Sequence, residues 1–223
     1  MDTDLIRLRN KADPIRRNVE KGIEDEGTSP FAPPDLYAPP GADQGVPYDE
    51  MHPVLQALRD DHAAFVIELT HFEEALAKIR ENGPDREVDA VFSQFFRAID
   101  ESVVPHNRLE ERTLFPILAA RLIERGEHSK GPEPTTAIDV LMDDHIQIVQ
   151  LAAVIFNFFA VASRIPDERS RGVILTAAVE QGQVLAELLR LHMFREDHVL
   201  FSLAQKYLST EELDGLLPAG QLQ

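Results

Sequence analysis

Apolar residues recur at three- and four-residue spacing through four long stretches, and nowhere do they alternate as a strand would require. The first stretch opens at Pro53, a residue suited to a first helical turn, and carries Leu55, Leu58, His62, Phe65, Leu69, Phe72 and Leu76. Asn82-Gly83-Pro84 stops it. The second has Asp85 as a cap and runs Val88, Val91, Phe92, Phe95, Ile99, Val103, His106, Glu110, Thr113 and Ile117, ending near Arg125-Gly126. Pro105 and Pro116 lie inside it, and each predicts a bend. The third is capped by Thr135 or Thr136 and carries Ile138, Leu141, His145, Ile148, Ala152, Ile155 and Phe159. The fourth starts at Pro166-Asp167, and its stripe is read as Val173, Ala177, Val184, Leu188, His192, Glu196, Val199 and Leu203. Ser209-Thr-Glu-Glu-Leu predicts one more short helix. The fold class expected is all-α, an antiparallel up-down four-helix bundle.

Three segments follow from this pattern. Residues 1–50 form a charged and then Pro/Gly-rich arm, residues 51–207 the bundle, and residues 208–223 a short helix and tail. The arm reads either as a flexible tail or as a strap on the bundle or on a second subunit, anchored by Phe31, Leu36, Tyr37 and Tyr48.

Each apolar stripe carries a histidine, and the polar insertions repeat. His106-Asn-Arg-Leu-Glu110-Glu111-Arg-Thr-Leu-Phe115 is matched by His192-Met-Phe-Arg-Glu196-Asp197-His-Val-Leu-Phe201, and Leu58-Arg-Asp-Asp-His62 by Leu141-Met-Asp-Asp-His145. A His and a Glu four residues apart share one helix face. A lone histidine on an apolar stripe is usually a hydrogen-bonded core residue, but the doubled context favours ligation for His62, His106, His145 and His192. Two buried glutamates, Glu110 and Glu196, would be costly without a cation, and the arginines nearby, Arg112 and Arg195, are read as falling to the sides. Four imidazoles and two carboxylates suit a pair of first-row transition ions better than calcium or magnesium. Glu111 and Asp197, five residues from their histidines, are read as lying behind the ligands or at the surface. His52, His71, His128 and His198 are read as surface residues.

Composition narrows the rest. A formal charge of −17 disfavours nucleic acid and an anionic membrane surface as partners. There is no cysteine, which excludes disulfides and thiolate-held clusters and fits a reducing cytoplasm. The acidic Met-Asp-Thr-Asp start is unlike a secretory signal. The most apolar run, Leu151–Ala162, is interrupted by Asn157 and reads as a buried helix segment too short to span a bilayer.

The recurring phrase His-x-x-x-Glu-Glu-x-x-Leu-Phe-Pro resembles the hemerythrin-like (HHE cation-binding) family of non-heme di-iron proteins. The first copy keeps it from His106 to Pro116; the second has Asp197 for the second acid and Ser202 for the proline. The resemblance covers roughly residues 51 to 207. It implies two irons with an oxo or hydroxo bridge, Glu110 and Glu196 bridging, His62 and His106 on one iron, and His145 and His192 on the other. Oxygen carriers of this family have a fifth histidine one turn after the third-helix histidine. Val149 stands there, so one further position would be open beside His145.

The function implied is binding or reduction of a small ligand, dioxygen, peroxide or nitric oxide, behind a wall of Phe65, Phe95, Phe156 and Leu188. An iron or oxygen sensor acting through a protein partner and a metal-free helical interaction module are the alternatives. A ferritin-like site needs Glu-x-x-His twice, and only Glu68-Leu-Thr-His71 is present. No acid or base beyond the ligands can be assigned, which leaves enzyme activity, peroxidase-like or nitric-oxide-reducing, undecided. A homodimer is compatible with the arm.

Overall fold

The computed structural model describes residues 45–216. The arm up to residue 44, with Phe31, Leu36 and Tyr37, lies outside the described residues, as does the tail from residue 217. Among the described residues every regular element is helical. A 3-10 turn, Tyr48–Glu50, precedes α1 (Pro53–Asn82), α2 (Arg86–Ala98), α3 (Val104–Arg112) and α4 (Leu114–Glu124). Then follow α5 (Ala137–Ala162), α6 (Glu168–Arg195), α7 (Phe201–Tyr207) and α8 (Thr210–Asp214). Two five-residue π-helical segments join consecutive helices, Ile99–Val103 between α2 and α3, and Glu196–Leu200 between α6 and α7.

The boundaries have local causes. Asp85 caps α2 by accepting from Val88 N–H at 2.9 Å. Thr136 Oγ1 accepts from Ile138 N–H at 3.2 Å, while Asp139 Oδ2 accepts from Thr136 N–H at 2.6 Å, so α5 opens on a reciprocal cap. Asp167 accepts from Ser170 N–H at 2.8 Å ahead of α6, and Ser209 with Glu212 forms a capping box on α8. α1 ends into Gly83, whose φ of 79° is the left-handed geometry that glycine takes at little cost.

Proline and π geometry are linked. Pro105 has no N–H to donate and its ring would strike the carbonyl four residues back. The chain answers with the wider turn just before it, in which Val104 N–H reaches Ile99 O. The helix therefore continues through Pro105, with the π turn directly before it. The other proline has a stronger effect: three residues before it, Thr113 takes φ −120°, ψ −66° and separates α3 from α4. The apolar stripe then moves by one residue, so that Leu114, Leu118 and Leu122 are buried while Ile117 is exposed.

The chain falls into two compact units. One comprises Gln56–Leu109 and Asp144–Met193. Its core joins Phe65, Leu69, Phe72, Leu76, Phe92 and Phe95 to Ile148, Ile155, Val179, Leu185 and Leu189. Phe72 stacks on Phe95 with ring centres 3.8 Å apart. Gly182 lies so close to Leu76 that an added Cβ would sit 2.7 Å from its Cδ2. The α6 stripe in this unit is Ala178, Val179, Leu185, Ala186, Leu189 and His192, whereas Val173 and Val184 are exposed and Leu188 is only half-buried. The sequence reading followed four-residue steps back from His192. The fold uses three, to Leu189.

The other unit comprises the described residues up to Leu55, Glu110–Asp143, and those from Phe194 onward. Val46 N–H donates to Ser202 Oγ at 3.1 Å, and Ser202 Oγ donates to His198 O at 3.0 Å. Ser202, the residue in place of the motif proline, thus ties the start of the described chain to the second π turn. Gly45 must be small there, because a Cβ would come 2.8 Å from that hydroxyl and 2.9 Å from His198 O. Arg121 pairs with Glu212 at 2.7 Å, and Tyr207 OH donates to Glu127 at 2.9 Å.

By length and composition α5 and the continuous stretch Glu168–Tyr207 are apolar enough to cross a membrane, which corrects the expectation drawn from Leu151–Ala162 alone. Only 28% of the apolar window of α5 is buried, so much of its apolar surface faces outward.

Candidate metal centre

Four helices each deliver one buried histidine to the first unit: α1 brings His62, α3 His106, α5 His145 and α6 His192. They associate in two pairs. His62 Nε2 and His106 Nε2 stand 3.0 Å apart, with ring centres at 4.7 Å. The rings of His145 and His192 meet edge-on at 4.8 Å. In both pairs, ring nitrogens lie within 4.8 Å of each other, near enough to take up one ion.

The repeated Asp-Asp-His phrase has a second use that the sequence reading missed. The aspartate immediately before one histidine reaches the histidine of the other motif. Asp61 Oδ2 lies 3.2 Å from His106 Nδ1, and Asp144 Oδ2 lies 3.6 Å from His192 Nδ1. The first is a hydrogen bond, the second an ion-pair distance. Asp61 is largely exposed and Asp144 is buried, so the same device faces water in one half and protein in the other. An Nδ1–H held by Asp61 leaves the Nε2 of a neutral His106 as a lone pair. That lone pair points at His62 Nε2, and two such nitrogens at 3.0 Å need a proton or a cation to reconcile them. The signal was present in the sequence as Asp61-His62 and Asp144-His145.

His62, His106 and His192 line a small cavity together with Asp61, Ser102 and Asn107, and its apolar wall is Phe65, Val103, Leu189 and Met193. The first π turn supplies Ser102 and Val103. This corrects the expected wall. Phe65 is on it, but Phe156 is 56% exposed and packs edge-on against Phe96 at 5.5 Å. Leu189, not Leu188, faces the cavity.

The two glutamates belong to the other unit. Glu110 and Glu196 are both fully buried. Burial first, then the adjacent Glu196 carboxylate that hydrogen-bonds it, pushes the Glu110 carboxyl well above the ordinary range, with Glu111 and Asp197 adding to the effect. Glu110 follows His106 by one turn of the same helix, α3. Glu196 follows His192 by the same spacing, at the junction of α6 with the second π turn. Glu111 and Asp197 are half-buried. Arg195, read as falling to the side, is buried instead, one residue from Glu196, so the carboxylates have a cation as sequence neighbour.

Val149 does not occupy the position assigned to it. It is 47% exposed, while Ile148 is fully buried. Three residues after His145, not four, the helix faces inward. Of the remaining histidines His71 and His128 are exposed, and His52 and His198 are half-buried. His52 Nε2 pairs with Asp214 at 3.3 Å.

The description "Hemerythrin HHE cation binding domain" matches residues 54–204. The chain belongs to that family. Its donors fit a metal cation: imidazole nitrogens face one another in pairs, and carboxylates follow one turn later on the same helices. No curated protein matches the hemerythrin-like chain, and no solved structure does.

Proposed function

We propose that this protein is a non-heme di-iron protein built on an antiparallel four-helix bundle. His62, His106, His145, His192, Glu110 and Glu196 would hold two irons, and the ligand would be dioxygen, peroxide or nitric oxide, in a redox or stress-response role. The observation that carries this reading is the arrangement of four buried histidines in two facing pairs, each with an aspartate behind one ring. The family is a cation-binding one, and a donor set of imidazole and carboxylate suits iron in both common oxidation states. Iron, when bound, supplies one-electron chemistry that no side chain of this cysteine-free chain offers.

The chain's own residues do the rest. Asp61 fixes the His106 tautomer so that Nε2 is the ligating atom, and Asp144 orients His192. Phe65, Val103, Leu189 and Met193 keep bulk water out and admit a small ligand. Ser102 and Asn107 are the hydrogen-bonding groups at the wall besides the histidines and Asp61.

Metal analysis of protein from iron-replete cells tests the proposal. The expected value is about two irons per chain, as in other carboxylate-bridged bundles, and His62→Ala or His192→Ala should each lower it. Iron near zero after loading would overturn the proposal.

A further inference from the structure

α5 carries a second pattern, turned away from the core. Met142, Ile146, Val149, Ala153, Phe156 and Ala160 recur at alternating four- and three-residue steps, and all but half-buried Ala160 are exposed. This is the spacing of a coiled-coil seam, about 27 Å long at roughly 1.5 Å per residue. From Ile146 to Ser163 the helix has no charged residue, in a chain of net charge −17. Beside the seam runs an exposed polar line at seven-residue spacing, Asp143, Gln150 and Asn157, and exposed Arg164 follows in the turn just after α5.

We infer that this face of α5 pairs with the same face of a second copy, antiparallel, about a two-fold axis near Leu151. The order of the polar line decides the direction. A parallel pair would set Asp143 against Asp143 and Arg164 against Arg164. An antiparallel pair sends the acidic end of one line toward the basic end of the other and brings the two Gln150 amides together. The apolar residues are self-complementary in the same register: Met142 meets Ala160, Ile146 meets Phe156, and Val149 meets Ala153, so large residues oppose small or medium ones along the seam. The absence of charge on this face removes the repulsion that two strongly acidic chains would otherwise feel on close approach. One seam of this length lies at the lower end of interface sizes, which suits a weak, concentration-dependent dimer.

The test uses the full-length, iron-loaded protein in sedimentation velocity over a concentration series. A concentration-dependent dimer is expected, and Ile146→Glu and Phe156→Glu should each weaken it at least about tenfold, with helix content and iron content unchanged. Register is tested by oxidation, since the chain has no cysteine of its own. V149C mixed with A153C should give a disulfide-linked dimer, whereas V149C alone should cross-link poorly. A monomer at every concentration would overturn the inference, as would a monomer that binds neutral phosphatidylcholine vesicles through this face. Efficient self-linking of V149C would overturn the antiparallel register.

Discussion

Replacing Glu110 with glutamine should stabilise the metal-free protein near neutral pH and destabilise the iron-loaded protein. Glu110 and Glu196 are both fully buried, and burial, with the neighbouring Glu196 carboxylate, holds the Glu110 carboxyl well above its ordinary range. A carboxyl whose folded value is raised keeps its proton in the native state after the unfolded chain has lost it. The native state then binds more protons, and stability falls as pH rises. Nothing is lost below the unfolded value of roughly 4.3, and each pH unit above it costs about 1.4 kcal/mol for as long as the folded group stays protonated. The penalty therefore grows as pH rises above the ordinary carboxylate range. Glutamine has nearly the same shape and no proton to lose. Metal-free Glu110→Gln should therefore be more stable than wild type at about pH 7 and lose the advantage at about pH 5. With iron present the order reverses, because a neutral amide is a poor ligand and the stabilisation from native-state metal binding shrinks. Urea denaturation of chelator-treated and iron-loaded protein at the two pH values gives all four comparisons. An identical shift at both pH values in metal-free protein would refute the reasoning.

Three further outcomes follow from particular side chains. Asp61→Asn and Asp144→Asn should each weaken iron binding about 10- to 100-fold through loss of histidine orientation, measured by competition with a chelator; unchanged affinity would show that the aspartates are bystanders. Val149→His should leave the iron content and absorption spectrum unchanged, because the side chain points outward; a new ligand band would contradict that orientation. Gly182→Ala gains up to about 1 kcal/mol of helix propensity but presses a methyl into buried Leu76, an overpacking cost of about 1–3 kcal/mol. The net effect on melting should be zero to modestly destabilising, and a clear rise in melting temperature would show that Leu76 moves aside freely.

The sequence made the helices legible through their ends. Asp85, Thr136, Asp167 and Ser209 all cap as their chemistry predicts, because a cap is decided within four residues. Phase was harder. Where both neighbours are apolar, as at Val184-Leu185 and Leu188-Leu189, a three- or four-residue step cannot be chosen without knowing what packs opposite, and the fold takes Leu185 and Leu189. Ile148 was legible on the stripe, while Val149, expected to face inward as the residue four after His145, is exposed. In α1 and α5 the predicted stripe from Leu55 to Leu76 and from Ile138 to Ile155 is buried throughout. The four histidines were legible because the motif occurs twice. Their aspartates were visible in the same phrase, yet their role depends on which helix lies alongside, and no local pattern carries that.

Each π turn amounts to one residue more than an α-helix needs, and the two halves of the repeat have placed that surplus differently. In the first it precedes His106, at Ile99–Val103; in the second it begins at Glu196 and runs on to Leu200. Neither falls among the three residues that separate histidine from glutamate. A surplus residue inside that interval would swing the carboxylate by about 100° around the helix axis and send it toward a different neighbour. The helices can thus absorb changes of length close to the ligands on either side, while the interval itself acts as a ruler of fixed length. An engineer wishing to lengthen, bend or re-aim these helices has two sites already proven to take an extra residue, and two three-residue windows that should be left alone.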